Sequence, residues 1–448
     1  MQSEKNTPAR RAFSFASMGA GIAGSYLGYL MQRALLGEAR SATKLKSTHT
    51  RAARRMRDEM QSLRGPAMKL GQMLSLQTDM LPEETLAELA TLQMEAPGMH
   101  PSLVKVQVKA SLGREPEQIF KEFTLKPFAA ASLGQVHRAV TREGQRVAVK
   151  VQYPGIRQAI ENDFKWFRAV AKPVQASGHI PKAAIDEMEQ QILAETDYFR
   201  EADNVEYFEK HLAPLAFVKV PRVLRKYSGD QVLTMSLMPG KHLEDFLAQR
   251  PSQKLCDRLG ANLFELYYFQ LLQVEGLHAD PHWGNYLFNN DGSVGLVDFG
   301  CVKYLRPGTA SYLRSIYLYP GDRNSRDFRR LLEEHHRLLG SKLTPATTRA
   351  LIDFSENFYR MVYPPEPDKQ GQVFDFGNPA FLHNYLRESK NLFRSKGVLS
   401  EYIFMCRAEV GLYQTLHRLK ARVPTSQIVR KYLGPVLQSG RTQAENAI

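Results

Sequence analysis

The apolar positions of the chain change period along its length, and the changes mark out its elements. Over residues 58–81 they recur at the spacing of a helix turn, at Met60, Leu63, Ala67, Leu70, Met73 and Leu74, with Gly65 and Pro66 as the one break. Pro82-Glu83-Glu84 opens a second helix, with proline in its first turn and acids that complement the dipole; residues 101–120 read as a third. From Phe128 the period falls to two. Residues 128–136, 138–140 and 146–151 alternate around a turn at 142–145, which predicts a β-hairpin. A long helical tract follows as far as Asn204. Residues 218–223 and 231–235 read as further strands, and 243–273 as a buried helix. Residues 286–288 and 294–297 predict a second hairpin about a turn at 289–292. From Thr309 to Tyr432 the pattern is helical, over 328–339, 345–359, 381–394 and 399–420, with a loop at 364–371. The mixture predicts an α+β fold.

Composition says less about the fold than about partners. The chain has 448 residues, is 43% hydrophobic and carries a net charge of +14. That length holds two or three domains, and the charge favours a nucleotide, an acidic lipid surface or nucleic acid. No zinc-ligand spacing and no RNA-binding motif goes with it, so nucleic acid is not expected. Cys256, Cys301 and Cys406 are far apart and odd in number, which implies no disulfide framework and fits a reducing compartment.

Ala12 to Gln32 carry no charge, lie between Arg10, Arg11 and Arg33, and are long enough to cross a bilayer. Gly19, Gly21, Gly24 and Gly28 interrupt the stretch, while Ala20, Gly24 and Gly28 share one helix face at the small-residue spacing of membrane helices. A membrane-dipping or spanning helix, a cleaved targeting segment and a soluble packing helix all fit; membrane association is the expectation, and no A-x-A site follows to favour a secretory signal. Residues 33–57 then run basic, with Arg40, Lys44, Lys46, Arg51, Arg54, Arg55 and Arg57 against Glu38 alone. They form either a solvated helix face or a hold on an anionic leaflet.

The chemistry concentrates in residues 278–300, HADPHWGNYLFNNDGSVGLVDFG. Asp280 and Asn285 stand five apart and Asn285 precedes Asp298 by thirteen, with the second hairpin between them: the H-x-D-x-x-x-x-N then D-F-G pattern of the kinase fold. Mg²⁺ takes few protein ligands, all hard oxygens, and an Asn carbonyl with an Asp carboxylate meets that need. Asn285 and Asp298 are the expected metal ligands, and Asp280 the catalytic group that orients an attacking hydroxyl or water. Val147-Ala148-Val149-Lys150 matches the strand whose lysine pairs with nucleotide phosphates. Ala129, Ala131, Gly134 and Val136 fall where a glycine-rich loop places its three glycines and its valine. Ala129, Ala130, Ala131, Ser132, Gly134 and Val136 are therefore expected at the nucleotide, gripping it differently because a Cβ holds backbone away from phosphate. Glu201 is the expected partner of Lys150 and Glu161 the alternative, across an insertion at 156–180. Lys69 and Gln72 share a helix face and could point together into a cleft, with Glu195 or Asp197 accepting Lys69. Met235 and Leu237 belong to the hinge against which adenine would lie. No A-P-E segment follows Gly300, and His282 stands where protein kinases place lysine.

In this order the motifs resemble the UbiB family of atypical kinases, also called AarF-type or ADCK-type, over residues 51–423. The resemblance rests on Lys69-Leu-Gly-Gln72, the alanine loop with Gly134-Gln135-Val136-His137, Lys150, Glu195-Thr-Asp197 with Tyr198 and Arg200-Glu201, Asp280-Pro281 with Gly284-Asn285, and Asp298-Phe-Gly300. It implies a bilobal protein-kinase-like α+β fold whose N-terminal helical extension packs over the active site. The implied division is an apolar helix and basic linker at 1–57, the extension at 58–125, an N-lobe with the alanine loop and inserted helices at 126–238, and a helical C-lobe at 239–435. It also implies Lys69 and Gln72 in the nucleotide pocket, ATP or ADP with Mg²⁺ as cofactors, hydrolysis in place of protein phosphorylation, and support of ubiquinone (coenzyme Q) biosynthesis. The implied partners are a membrane surface, lipid or quinone intermediates, coenzyme Q biosynthesis proteins and a homodimer; the implied location is a bacterial cytoplasmic face or a mitochondrion. The loop at 280–285 is also similar to that of aminoglycoside and choline kinases, so a small-molecule phosphotransferase is an alternative, and a nucleotide-switched scaffold a third. Ser236 departs from the acid that the family often carries at the hinge.

Overall fold

The computed structural model describes residues 38–63, 65–75, 98–131, 133–176, 182–280, 282–317, 319–363, 371–393 and 400–433, with scattered positions at 11–20 and 85–92. They form two compact units, one from residues up to 210 with 220–239 and 297–301, the other from 211–219, 240–296 and 302 onward.

In the first unit, α1 (Glu38–Leu63) and α2 (Pro66–Ser75) are separated where expected. Gly65 takes a φ of +50°, open to glycine, and Pro66 starts α2 where its missing N–H costs no hydrogen bond. The stripe Met60, Leu63, Ala67, Leu70 and Leu74 is buried, in one cluster with Ile156, Ile160, Phe164, Ile185, Met188 and Ile192. Gly71 is part of this packing: a Cβ there would come 2.4 Å from Leu92 Cδ1 and 2.7 Å from Met60 Sδ. The basic stretch before the break falls on α1, and two of its cations are matched within the chain, Arg54 by Glu88 at 2.9 Å and Arg57 by Asp58 at 2.9 Å. The third expected helix is shorter than its pattern. α3 (Pro101–Leu112) stops at Gly113, whose left-handed φ of +79° lets its N–H close on the Lys109 carbonyl.

The strands β1 (Glu122–Phe123), β2 (Ala129–Ala131), β3 (Gly134–Val140) and β4 (Arg146–Gln152) follow. Next come α4 (Ile156–Ala176), α5 (Lys182–Ala194), α6 (Tyr198–Leu212), β5 (Val218–Lys219) and β6 (Val232–Ser236). The sheet runs β1-β3-β4-β6 with β2 also on β3, every pairing antiparallel. Val147, Val149 and Val151 of β4 are buried in one cluster with Val104 and Val108 of α3 and with Phe120. Alternation turns Ala148 and Lys150 to the opposite face. Burying each valine contributes about 1.5–3 kcal/mol, so register is firmly set and with it the face on which Lys150 emerges. β5, expected among the strands of this sheet, pairs instead in parallel with Val294 and Gly295 in the second unit. Two residues carry too little periodicity to name their partner.

The second unit packs around α7 (Gln253–Phe269). The expected helix 243–273 is broken at 248–252, because Pro251 disfavours helical backbone before it and Ser252 caps α7 by accepting the Leu255 N–H at 3.3 Å. β7 (Gly276–His278), β8 (Tyr286–Phe288), β9 (Val294–Leu296) and β10 (Val302–Tyr304) come next. The β8–β9 hairpin is the one expected, closed at Gly292 with φ +85°. The antiparallel pairing of β7 with β10 was not anticipated. Helices α8 (Thr309–Tyr317), α9 (Arg326–Leu338), α10 (Pro345–Phe354), α11 (Pro379–Phe393), α12 (Ser400–Leu419) and α13 (Thr425–Leu433) complete the unit around a core rich in buried tyrosine and phenylalanine. Among the described residues no helix is long and apolar enough to cross a membrane. The apolar run 12–32 lies largely outside them, as do Ser132 and most of the expected helix opened by Pro82.

Candidate active site

The first unit gathers its chemistry on one stripe of α6. Tyr198, Glu201 and Asn204 follow at three-residue steps and share a face. Lys150 Nζ donates to Glu201 Oε1 at 2.7 Å and Oε2 at 2.8 Å, and lies 3.4 Å from Asp298 Oδ2. The Lys150 and Glu201 side chains are 8% and 1% exposed, so this is a buried pair. Burial opposes the ammonium, yet the carboxylates of Asp298 and Glu201 outweigh it and hold the Lys150 pKa well above the ordinary value. Burial pushes the Glu201 carboxyl up to about 7 against the pull of Lys150. Glu161, the alternative partner, instead faces Arg157 on an exposed part of α4. Asn204 Nδ2 donates to the Phe299 carbonyl at 2.9 Å, and the Phe299 ring meets Phe208 at 5.5 Å. Asp298 Oδ1 accepts the Gly300 N–H at 2.9 Å. α6 thus holds the lysine and the Asp-Phe-Gly turn together. Asn204 and Tyr198 were not singled out as site residues; their spacing from Glu201 was the available signal.

Lys69 on α2 pairs with Glu195 at 3.0 Å. Asp197, the other expected acceptor, caps α6 by accepting the Arg200 N–H at 3.0 Å. Glu195 also borders the turn: a Cβ on Gly300 would lie 3.5 Å from Glu195 Cγ and 3.2 Å from Asp298 Oδ1. Gln72 lies on α2, and its side chain is outside what is described. The alanine loop is a tight hairpin, with Ala129 opposite Val136, Ala130 opposite Gln135 and Ala131 opposite Gly134. Val136 stands opposite Lys150 in the next pairing, so the two share a face. Met235 is buried opposite Ala148, and Leu237 donates its N–H to the Arg146 carbonyl at 3.2 Å. Leu237 therefore has its carbonyl and side chain, not its N–H, for a ligand.

Gly134 is required by the sheet itself. A Cβ there would sit 2.3 Å from the Val151 carbonyl oxygen, which is backbone and cannot turn aside, and 3.1 Å from the Tyr198 hydroxyl. Gly134→Ala is expected to lower stability by about 1–3 kcal/mol, the usual result of overpacking, measured by denaturant unfolding. A melt indistinguishable from the parent would mean β3 and β4 can part locally.

In the second unit Asp280 follows β7, and its Oδ1 accepts the His282 N–H at 3.3 Å. His282 Nδ1 accepts the Gly284 N–H at 3.0 Å, and its carbonyl accepts the Asn285 N–H at 3.0 Å, so a tight turn delivers Asn285 to the start of β8. His278 N donates to Gln270 Oε1 at 2.8 Å, fixing β7 against the end of α7. The Asn285 side-chain Nδ2 is buried without a hydrogen-bond partner among the described residues.

The ABC1 atypical kinase-like domain matches residues 91–332, more than half of the chain. The chain belongs to the ABC1 atypical kinase-like family. Among other members, Protein ACTIVITY OF BC1 COMPLEX KINASE 7, chloroplastic, of Arabidopsis thaliana is 30% identical over 344 residues, 75% of this chain and 49% of that protein. Atypical kinase COQ8, mitochondrial, of Saccharomyces cerevisiae is 31% identical over 256 residues, 56% of this chain and 50% of that protein. The chain spans about half the length of these curated relatives. Among solved structures, the Rv3197–erythromycin complex of Mycobacterium tuberculosis aligns with a TM-score of 0.60 at 23% identity, over 83% of this chain and 92% of that one. That likeness shows the fold: the ABC1-family chain is kinase-like, as its motifs implied, and α+β, as its strand and helix pattern implied.

Proposed function

We propose that this ABC1-family chain binds a magnesium–nucleoside triphosphate and hydrolyses it, in support of quinone or lipid handling and not of protein phosphorylation. One observation carries the reading: Glu201 holds the Lys150 ammonium at 2.7 and 2.8 Å so that it stands 3.4 Å from the Asp298 carboxylate. A fixed cation beside a partly exposed carboxylate is what a phosphate–metal complex requires. The donor chemistry fits Mg²⁺. Asp298 offers carboxylate oxygen, and the Asn285 amide, with Nδ2 uncommitted, is free to turn its oxygen to a cation. When bound, the ion would neutralise phosphate charge.

The remaining roles belong to the chain's own groups. Lys150 binds phosphate oxygens, and Glu201 keeps it extended. The hairpin of Ala129, Ala130 and Ala131 with Ser132, Gly134 and Val136 covers the phosphates. Met235, Leu237 and Gln72 bound the base and sugar. Lys69, held by Glu195, adds a second cation, and Asp280 orients the water or hydroxyl that attacks. The link to coenzyme Q biosynthesis, its proteins and a membrane surface rests on the motif resemblance, with COQ8 among the relatives.

The test measures nucleotide affinity and phosphate release with Mg²⁺, with and without liposomes and a phenolic quinone-head analogue. Asp298→Asn is expected to weaken Mg–nucleotide binding about a hundredfold or more, because a neutral amide replaces a charged metal ligand. Unchanged affinity would reject the site. Label moving from ATP to the analogue, with little free phosphate, would favour phosphotransfer over hydrolysis.

A further inference from the structure

We propose that Arg11 is a positioning residue for the Lys69 helix, a clasp that ties the N-terminal arm to the nucleotide site; the inference rests on the nucleotide reading above. Arg11 is 6% exposed, and Asp163, its partner on α4, is fully buried. Arg11 Nε donates to Asp163 Oδ1 at 2.7 Å and a second nitrogen to Oδ2, a bidentate fit that lysine cannot reproduce. A third nitrogen donates to the Leu63 carbonyl at 2.8 Å. Leu63 ends α1, two residues before the φ +50° joint at Gly65 and six before Lys69.

That placement is what makes the clasp more than a surface contact. The last carbonyls of a helix lack partners within it. By taking one of them, Arg11 fixes α1 to α4 at the point where α2 departs. α2 then carries Lys69 to Glu195 at 3.0 Å, and Glu195 borders Gly300 of the Asp-Phe-Gly turn. Burial raises the Asp163 carboxyl above its ordinary pKa even with Arg11 beside it, so the carboxylate without its cation would be costly. The same arginine is the last charge before the uncharged run 12–32, and Phe13, on the clasp's far side in sequence, is 73% exposed. Arg11 thus joins the end of α1 to α4 through one bond to Leu63 and two to Asp163.

The experiment is a double-mutant cycle on the full chain, Arg11→Gln against Lys69→Met, read as Mg–ATP dissociation constant and as amide hydrogen exchange over residues 66–75. Arg11→Gln alone is expected to weaken Mg–ATP about tenfold and to speed exchange on α2, with Arg11→Lys intermediate. In the Lys69→Met background the same substitution should change affinity less than twofold. Equal fold-changes in both backgrounds, or no change with Lys69 present, would overturn the inference. If the parent chain binds no nucleotide, the reading above fails by itself. The clasp is then judged on exchange alone: faster exchange confined to 66–75 supports it, and uniform or unaltered exchange rejects it.

Discussion

Replacing Lys150 with Met is expected to destabilise the first unit by about 3–5 kcal/mol at pH 8, the usual cost of leaving one member of a buried ion pair behind. Glu201 is 1% exposed and both its oxygens are satisfied by Lys150, at 2.7 and 2.8 Å. With the ammonium gone, burial and the nearby Asp298 carboxylate act on a carboxyl already pushed up to about 7, with only the Phe299 backbone opposing them. The sign of the pH dependence follows. A group whose pKa is higher folded than unfolded stabilises the fold while protonated in it, and that contribution is lost as pH rises through the folded value. The Lys150→Met chain should therefore look closer to its parent at pH 6, where Glu201 takes up a proton, than at pH 8. Adding Glu201→Leu removes the stranded charge and should recover most of the loss, while nucleotide affinity stays low. Trp166 and Trp283 are the chain's two tryptophans and fall one in each unit, so urea unfolding in a Trp283→Phe background reports on the first. A loss of the same size at pH 6 and pH 8 would show that Glu201 does not control it.

The split between legible and hidden parts of this site has a physical basis. Lys150 could be placed from sequence because a strand's two-residue period decides which face a side chain takes, and three valines decided it. The hairpin at β8–β9 was legible from its turn. Choices between neighbours were not: Glu195 and Asp197 are two apart, and only the start of α6 makes one a cap and frees the other for Lys69. Pairings that join distant segments were also hidden. Arg11 and Asp163 are separated by 152 residues, and β7 and β10 are three residues each. Two glycines have a packing reason that the sequence did not show. Gly71 and Gly134 sit in motifs read as ligand chemistry, yet what a Cβ would strike is Leu92 and Met60 in one case and the Val151 carbonyl in the other. Close packing and close approach to a ligand leave the same mark on a sequence. A lone Glu on an amphipathic helix reads as solvated, which is why Glu409 gave no signal.

Glu409 carries the second large expectation. Replacement by Ala should cost the second unit about 3–5 kcal/mol, followed by urea unfolding in a Trp166→Phe background. The carboxyl, 1% exposed on α12, accepts from Tyr268 at 3.0 Å, Tyr385 at 2.5 Å and Tyr413 at 3.0 Å. Tyr268 also meets the hydroxyl of Tyr363, so one side chain anchors hydroxyls from α7, α11, α12 and the chain after α10. Alanine takes the acceptor from the buried Tyr385 and Tyr413 hydroxyls, each at about 1–3 kcal/mol, in addition to the space opened, while Tyr268 keeps Tyr363. Burial nevertheless outweighs the three tyrosine bonds and raises the Glu409 carboxyl from 4.5 to about 7. The folded chain thus holds a proton that the unfolded chain releases between those values, and stability should fall by about 3 kcal/mol as pH rises from below 5 to above 7. Glu409→Gln approximates the protonated form, with an NH2 donor group in place of the O–H and a carbonyl acceptor, and separates the two effects. It should match the parent at low pH, exceed it at pH 8, and flatten the slope between. A parallel slope in the Gln variant would assign the proton to another group and leave Glu409 ionised among its tyrosines, in which case Gln should be the weaker of the two at every pH.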